Sequence, residues 1–178
     1  HYAEHNRQHL QKSGLMMINI LGSPGSGKTT LLEKTLPQLT GSFGLAVIEG
    51  DIETDNDKQR IEALGIKSHQ IKTHGACHLD AKMIHHALHE LNLDDNYKMV
   101  VVENVGNLVC PADFDLGEDL RIVVLSVPEG DDKPEKYPII FNGANAIALT
   151  KIDLLPYIDF DIDKCKNLCR QVNPRAKI

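Results

Sequence analysis

The sequence predicts an α/β fold in which a mostly parallel sheet is covered by helices on both faces. Short, uniformly apolar segments alternate with segments of helical periodicity, which is typical of buried parallel strands joined by helical crossovers. A glycine-rich loop follows the first apolar segment and precedes a helix. The length of 178 residues and the hydrophobic content of 42% suit one compact domain with its own core.

The elements follow one another in a regular order. A polar helical segment at residues 1–13 comes first. The best candidate for a long loop is the segment at residues 131–138, which contains two prolines. Further helices are predicted at residues 29–39, 54–64, 79–91 and 161–172. Strands are predicted at residues 16–21, 45–48, 69–71, 99–102, 122–125 and 146–149, and residues 177–178 look like the start of another.

Composition excludes several classes of partner. The formal net charge is −6, whereas duplex nucleic acid selects a clustered excess of Lys and Arg. No apolar run approaches the ~20 residues of a membrane-spanning helix, and nothing at the start resembles a signal peptide. We therefore expect a cytoplasmic protein that binds neither nucleic acid nor membrane. The chain starts at His1 without Met and ends abruptly at Ile178, so a fragment or processed form with a C-terminal truncation is expected.

Residues 22–29 match the phosphate-binding pattern Gly-x-x-x-x-Gly-Lys-Thr in full. In such a loop the backbone amides surround phosphate oxygens, Lys28 reaches the β- and γ-phosphates, and Thr29 offers its hydroxyl to Mg²⁺. The following helix points its positive end at the anion. The alternative is a chance match in an ordinary glycine-rich turn, which the flanking strand and helix disfavour. The predicted nucleotide-binding residues of the loop are Gly25, Ser26, Gly27, Lys28, Thr29 and Thr30.

Two acids stand at predicted strand ends. Asp51 closes the second strand and Glu103 closes the strand at residues 99–102. Because the carboxyl ends of parallel strands share one edge of the sheet, both face the phosphate loop in this fold. With Thr29 they form the predicted Mg²⁺ site, either as direct ligands or through water. The alternative is that they are solvated loop acids.

A candidate base-recognition motif, Thr150-Lys151-Ile152-Asp153, follows the last predicted strand. It is a variant of the Asn-Lys-x-Asp element of GTPases with Thr in place of Asn. The Asp153 carboxylate can accept hydrogen bonds from N1–H and the exocyclic amine of guanine, a donor pair that adenine lacks on that edge. The aliphatic part of Lys151 can lie over the base plane. A charged turn after a strand is the alternative.

A possible switch segment lies next to a possible metal site. Glu103-Asn104-Val105-Gly106 stands where GTPases carry Asp-x-x-Gly, so the Gly106 amide can sense the γ-phosphate. Cys110 follows four residues later, a span of at most ~14 Å. Thiolates and imidazoles suit Zn²⁺ or Ni²⁺, and Cys77, His78 and Cys110 provide three such ligands. Two chains together can complete a site of this kind. The alternative, with about equal weight, is that the cysteines are buried apolar residues.

The remaining cysteines and histidines fall on predicted helices. Cys165 and Cys169 lie four apart and share a helix face, which favours core packing over metal binding. The other candidates are two sets of histidines, each able to capture a metal weakly, although solvated helix faces are the favoured interpretation. These sets are His1, His5 and His9 on one helix and His85, His86 and His89 on another.

Together these motifs resemble the HypB family, GTPases that assist nickel insertion into [NiFe]-hydrogenase. The Cys-His-Leu-Asp sequence at 77–80 and the Glu-Asn-Val-Gly-Asn-Leu-Val-Cys-Pro sequence at 103–111 are far more specific than the phosphate loop. The resemblance spans nearly the whole chain, in segments 22–30, 50–51, 77–81, 103–116, 129–134, 151–155 and 172–174.

The resemblance implies a homodimer that hydrolyses GTP to GDP with Mg²⁺ and binds Ni²⁺ or Zn²⁺ through Cys77, His78 and Cys110. It also implies transfer of nickel to a HypA-like metallochaperone and, through it, to the hydrogenase large subunit. Family members carry an acid matching Asp57 in the first switch and a lysine matching Lys136 that reaches the partner subunit's γ-phosphate. With Lys28, these form the expected catalytic set.

Three departures from the family pattern are visible. The cysteine-rich nickel site found at the extreme N-terminus of some members does not occur in this sequence, either because the source protein lacks it or because it has been removed, and Thr150 replaces the common Asn. The family also continues beyond residue 178 with a second base-binding loop, a strand and a helix, so reduced nucleotide affinity is expected here. No arginine finger is evident, so slow turnover is expected.

Two rival interpretations remain. A urease-type nickel GTPase of the UreG kind carries a Cys-Pro-His motif, whereas here Cys77-His78 is well separated from Cys110-Pro111. A nickel-storage module with a vestigial nucleotide site would not require the intact Lys28 and Thr29.

Overall fold

The computed structural model describes residues 1–51, 56–73 and 75–178. Within these ranges six strands form one sheet in the order β3-β2-β4-β1-β5-β6, and every neighbouring pair is parallel. The predicted α/β fold with a parallel sheet is confirmed. The strands are β1 Met16–Gly22, β2 Gly44–Asp51, β3 Lys67–Lys72, β4 Tyr97–Glu103, β5 Leu120–Ser126 and β6 Ala146–Thr150.

Helices cover both faces of the sheet. The helices α1, α4, α6 and α7 pack on one face, and α2 and α3 pack on the other. Because side chains alternate along a strand, Met17 of β1 contacts the first layer while Ile20 contacts the second. The helices are α1 Tyr2–Ser13, α2 Lys28–Leu39, α3 Asn56–Glu62, α4 Ala81–Leu91, α5 Lys133–Lys136, α6 Pro138–Asn142 and α7 Ile162–Val172.

The cysteines of α7 belong to the core. Cys165 and Cys169 are both fully buried and pack with Phe141 of α6 and Val123 of β5. Their spacing of one helical turn puts both thiols on the face that contacts the sheet. The predicted packing role of these two residues is confirmed.

The predicted long loop at residues 131–138 is wrong, because this segment contains α5 and the start of α6. Pro134 lies in the first turn of α5 and Pro138 begins α6, positions where the missing proline N–H leaves no helical bond unmade. Asp131 accepts hydrogen bonds from the Lys164 ammonium at 2.8 Å and the Asp161 amide at 3.1 Å, which ties the segment to the start of α7.

The end of the chain pairs with the edge of the sheet. Lys177 donates its amide to Asn145 at 3.1 Å and accepts from Ile147 at 2.7 Å, forming a single parallel bridge beside β6. This placement agrees with the predicted start of a strand at residues 177–178. None of the helices in the described ranges is long and apolar enough to cross a bilayer.

Candidate nucleotide and metal site

The phosphate-binding loop connects β1 to α2. Gly25 and Gly27 have φ angles of 71° and 93°, in the left-handed region that favours glycine. A Cβ on Gly22 would lie 2.6 Å from the Val124 carbonyl oxygen, so the loop is too tight there for a side chain. The Ser26 hydroxyl is buried and has no hydrogen-bond partner in the part of the chain that the structure describes. A tight turn at a helix N-terminus presents backbone amides to an anion.

Lys28 lies inside this loop. Its side chain is buried, and its ammonium donates to the carbonyl oxygens of Ser23 at 3.1 Å and Gly22 at 3.4 Å. Burial lowers the pKa of Lys28, although the nearby carboxylates of Glu103 and Asp57 act in the opposite direction. The loop therefore holds a cation at the point where phosphate oxygens bind in proteins of this type.

A cleft of about 420 Å³ opens above the loop. Its walls come from the phosphate loop, the end of β2, helix α3, residues 103–106 and the residue after β6. The cleft thus brings together residues that the sequence predicts from distant motifs. They are Gly25, Gly27, Lys28, Thr29, Thr30, Asp57, Glu103 and Lys151.

Two buried carboxyl groups lie beside Thr29. The Thr29 hydroxyl donates to Glu103 at 2.8 Å, and the register between β2 and β4 places Glu49 opposite Glu103. Each acid has one buried oxygen, Oε2 of Glu103 and Oε1 of Glu49, without a hydrogen-bond partner among the described residues. Burial, followed by the charge of Glu103, raises the pKa of Glu49 to about 9. Burial also raises the pKa of Glu103, against the hydrogen bond from Thr29.

These residues fit a magnesium ion. Two adjacent buried carboxyl groups are costly to ionise together unless a cation lies between them. A hydroxyl and carboxylate oxygens are the hard donors that Mg²⁺ prefers. The predicted ligands Thr29 and Glu103 are therefore adjacent, with Glu49 as an additional acid. Asp51 ends β2, but its side chain lies outside the described part of the chain.

Asp57 lies in the first turn of α3 and lines the cleft. Its carboxylate accepts from Arg60 at 3.1 Å. The Arg60 guanidinium also binds Glu33 through two hydrogen bonds of 2.8 and 2.6 Å and donates to Thr30 at 3.2 Å. Arg60 therefore lines the cleft, and its guanidinium is held in place by Glu33 and Asp57.

The candidate base-recognition motif is attached to the phosphate loop. The Thr150 hydroxyl and the Lys151 ammonium donate to the carbonyl oxygens of Ser26 and Gly25, each at 2.6 Å. Lys151 has a left-handed φ of 57°, and Asp153 follows in an exposed 3₁₀ turn. Lys151 lines the cleft, whereas Asp153 is not among the residues of its wall.

The segment after Glu103 contacts the phosphate loop directly. A Cβ on Gly106 would lie 2.8 Å from both the backbone nitrogen and the Cα of Pro24. The Asn107 amide donates to the Gly22 carbonyl at 2.9 Å. The Asn107 side-chain oxygen in turn accepts from the backbone amide of Cys110 at 3.1 Å. Two hydrogen bonds at one residue therefore connect the phosphate loop to a candidate metal ligand.

A second connection runs through Asn104, which is buried. Its side-chain oxygen accepts from the backbone amide of Leu79 at 3.2 Å, and its amide nitrogen donates to Asn19 of β1 at 3.3 Å. Leu79 directly follows the candidate metal-binding pair Cys77-His78. Both parts of the candidate metal site are thus bonded to the segment at residues 104–107.

Cys77, His78 and Cys110 lie together near the surface. The Cys77 sulfur is 3.8 Å from His78 Nδ1, and contact with the Cys77 thiol raises the pKa of the Cys110 thiol. Both cysteines are half-buried rather than buried, which disfavours their interpretation as core residues. In the described ranges, no three His, Cys, Asp or Glu side chains are already arranged around one ion. The three ligands therefore need a further donor or a small rearrangement.

The His78 ring has an aromatic neighbour. It stacks on Phe114 with ring centroids 3.7 Å apart and planes 20° apart. Such a stack restricts the rotation of the imidazole, and a restricted ligand binds a metal with less loss of entropy.

Lys136 lies outside the cleft. It is exposed at the end of α5, and its ammonium pairs with Asp132 at 2.6 Å. In a single chain, the structure does not bring this predicted catalytic residue to the phosphate loop.

Sequence reasoning missed three residues of the site. The pairing of Glu49 with Glu103 depends on strand register, although an acid in an apolar strand is itself a signal of a functional site. Arg60 is one charged residue on a polar helix, and only the tertiary structure shows that it lines the cleft. Phe114 is an isolated aromatic residue whose contact with His78 leaves no trace in the sequence.

The fold and the site define a P-loop nucleotide-binding protein, with a tight phosphate loop, a buried lysine and a threonine–glutamate pair. Residues 16–178 match the family model described as CobW/HypB/UreG, nucleotide-binding domain. The chain is 52% identical over 176 residues to the hydrogenase maturation factor HypB of Escherichia coli strain K12, with 99% of this chain covered. The chain belongs to the CobW/HypB/UreG family and, within it, to the HypB hydrogenase maturation factors.

Solved structures agree with this assignment. The crystal structure of HypB from Archaeoglobus fulgidus has a TM-score of 0.92 at 43% identity, covering 99% of this chain and 86% of that one. The structure of HypB from Helicobacter pylori in complex with nickel has a TM-score of 0.93 at 40% identity, with coverages of 99% and 83%. The chain spans 60% of the length of the Escherichia coli relative.

Proposed function

We propose that this chain is the GTP-hydrolysing domain of a nickel metallochaperone that acts in [NiFe]-hydrogenase maturation. The observation that carries the proposal is the connection from the phosphate loop through Asn107 to Cys110. A second contact, from Asn104 to Leu79, joins the same segment to the residue that follows His78. The names of the relatives support it, since they are HypB maturation factors and the Helicobacter pylori protein is in complex with nickel.

The residues of the cleft suit hydrolysis of GTP to GDP and phosphate. Lys28 and the loop amides stabilise negative charge on the transferring phosphoryl group. Thr29 and Glu103 hold Mg²⁺, with Glu49 and Asp51 as further acids. When bound, the ion neutralises charge on the phosphate oxygens. Asp57 and Arg60 face the phosphates from α3.

Preference for guanine rests on the motif after β6. The stem of Lys151 covers the base plane, and the Asp153 carboxylate accepts from the two guanine donors. Thr150 holds the motif against the phosphate loop through the Ser26 carbonyl. This bond accounts for a hydroxyl at the position where GTPases commonly carry an amide.

The metal site is shared by two chains. Among the residues that the structure describes, one chain offers Cys77, His78 and Cys110, and a second copy supplies the ligands that complete a Ni²⁺ or Zn²⁺ site. Val109, next to Cys110, is 59% exposed, and Ile139 of the adjacent α6 is 61% exposed. Apolar side chains this exposed beside a metal site suit a homodimer interface. Across that interface Lys136 leaves Asp132 and reaches the partner's γ-phosphate.

Hydrolysis of GTP releases the Ni²⁺ or Zn²⁺ ion from the cysteine-containing site. Loss of the γ-phosphate frees the segment at residues 104–107, which alters the positions of Cys110 and Leu79. The metal then passes to a HypA-like metallochaperone and, through it, to the hydrogenase large subunit.

Paired substitutions test this proposal. Lys28→Ala abolishes GTP turnover and leaves metal stoichiometry unchanged, with Lys34→Ala on the exposed face of α2 as the matched control. Cys77→Ala and Cys110→Ala lower the stoichiometry of bound Ni²⁺ or Zn²⁺ and leave the phosphate loop intact. GTP turnover is measured as phosphate release, and bound metal by equilibrium dialysis.

Two results would contradict the proposal. If the unsubstituted protein binds metal but never hydrolyses GTP, the chain is a metal-storage module. If both cysteine substitutions leave metal binding unchanged, the cysteines are packing residues.

A further inference from the structure

Four histidines meet where α1 packs on α4. His5 and His9 are one turn apart on α1, and His85 and His89 are one turn apart on α4. The ring centroids are 5.6 Å apart for His5 and His85, 5.3 Å for His9 and His89, and 4.6 Å for His85 and His89. The four side chains line a surface cavity of about 270 Å³. The two histidine sets therefore face each other, rather than forming separate solvated faces as the spacing alone predicts.

These separations are those of imidazoles that share one metal ion. With metal–nitrogen bonds of about 2.0–2.1 Å and tetrahedral angles, two bound imidazoles have ring centroids about 5 Å apart. Histidines at positions i and i+4 project from one helix face, the spacing that binds zinc in other helical sites. Here two such pairs lie on neighbouring helices, so the backbone already places four nitrogen donors around one cavity.

A buried asparagine orients one of these rings. Asn6 is fully buried, and its amide nitrogen donates to the carbonyl oxygens of Ala81 at 2.9 Å and Leu116 at 2.8 Å. Its oxygen therefore faces His85 Nδ1, 3.3 Å away, and can only accept a hydrogen. The His85 proton lies on Nδ1, which leaves Nε2 unprotonated and available. Histidines that bind metals typically donate the other ring N–H to a carbonyl or carboxylate oxygen in this way.

We propose that His5, His9, His85 and His89 form a second metal site, which binds a divalent first-row transition ion and bridges α1 to α4. Imidazole ligands suit Zn²⁺, Ni²⁺ and Cu²⁺. The site differs from the cysteine-containing one in residues and in donor chemistry, and it lies within a single chain. It does not depend on the proposed GTPase function.

The charge of the cluster is compatible with a cation at neutral pH. Burial, followed by the neighbouring histidines, lowers the pKa of His85, and burial lowers that of His9. Neutral imidazoles are the metal-binding form. Lys12 also lines the cavity. Since no three donors in the described ranges yet surround one point, binding requires the rings to rotate about their side-chain torsions.

The test uses Co²⁺ as a spectroscopic probe and protein without an affinity tag. In a background carrying Cys77→Ser and Cys110→Ser, the cluster is expected to bind one equivalent of Co²⁺. Binding should give visible ligand-field absorption without a near-ultraviolet thiolate band. His85→Ala with His89→Ala should weaken this binding at least 10-fold, as should His5→Ala with His9→Ala. His86→Ala is the matched control, because His86 lies on α4 but does not line the cavity.

A thermal measurement tests the bridge itself. Zn²⁺ should raise the melting temperature of the background protein and of the His86→Ala control, and not that of either double-histidine variant. If one histidine pair can be removed without weakening Co²⁺ binding, the ion does not bridge the helices and the proposal is overturned. The proposal would also be overturned if His86→Ala weakened Co²⁺ binding as much as the double-histidine variants do, or if the background protein bound no Co²⁺.

Discussion

Replacing Glu49 by glutamine should change how the stability of this protein depends on pH. Glu49 is 2% exposed, lies against Glu103 and has its pKa raised to about 9. Its carboxyl group stays protonated in the folded chain at pH values where the unfolded chain has released the proton. Stability from this group is therefore complete below the unfolded pKa, about 4.3, and is lost as pH rises toward 9.

The magnitude follows from proton linkage. Each pH unit between these two values removes up to about 1.4 kcal/mol of unfolding free energy from the wild type. Between pH 5 and pH 7 the loss reaches about 3 kcal/mol, or about 6–12 °C in Tm for a chain of this size. The amide in Glu49→Gln has no such titration and can donate a hydrogen bond to Glu103. The Tm of the variant relative to wild type should rise by about that amount over this interval.

The assay is thermal unfolding followed by circular dichroism from pH 5 to pH 8, with and without Mg²⁺ and GDP together. Mg²⁺ with GDP should stabilise the wild type more than the variant, because the ion replaces the proton between two carboxylates. Glu135→Gln, at an exposed acid of α5, is the control and should follow the wild type. Parallel Tm curves for wild type and Glu49→Gln would refute a buried, protonated Glu49 and its assignment to the magnesium site.

Three further substitutions test the connections within the site. Gly106→Ala puts a Cβ 2.8 Å from the Pro24 backbone, so we expect faster release of a fluorescent GDP analogue and a lower Tm. Phe114→Ala removes the ring stacked on His78, so affinity for Ni²⁺ in a competition titration should fall about 10-fold while GTP turnover is unchanged. Arg60→Ala removes the guanidinium from the cleft wall, so phosphate release should slow at least 10-fold; an unchanged rate would make Arg60 purely structural.

The parts of the fold that sequence predicts are those specified by local patterns. The phosphate loop depends on glycines and a lysine within eight positions, so both the loop and α2 follow from the sequence. The two prolines at residues 131–138 predict a loop, whereas Asp131 is held by Lys164 of a helix distant in sequence. Tertiary contacts of this kind override local propensity and leave no periodic signal.

The residues of the site also divide into those that local sequence patterns predict and those that only the tertiary structure brings together. Thr29 is predictable because it ends the phosphate-loop motif, and Glu103 because it ends a recognisable strand. The two come together because the carboxyl ends of parallel strands share one edge of the sheet. The partner of Glu103 is set by the register of β2 against β4, which selects Glu49. The histidines of α1 and α4 are visible as i, i+4 pairs in the sequence, but only the packing of the two helices brings them together.

The connections through Asn107 and Asn104 imply that nucleotide and metal influence each other in both directions. Asn107 bonds Gly22 through its backbone amide and Cys110 through its side-chain oxygen, so a movement of Asn107 away from the loop also moves the acceptor of the Cys110 amide. If GTP and GDP hold this segment differently, their exchange changes metal affinity, and metal must change the relative affinity for GTP and GDP by the same factor. Couplings of this kind are typically about 1–3 kcal/mol, or roughly 5- to 150-fold. Metal affinities measured with GDP and with a GTP analogue should therefore differ within this range, and equal affinities would show that the two asparagines connect the sites without coupling them.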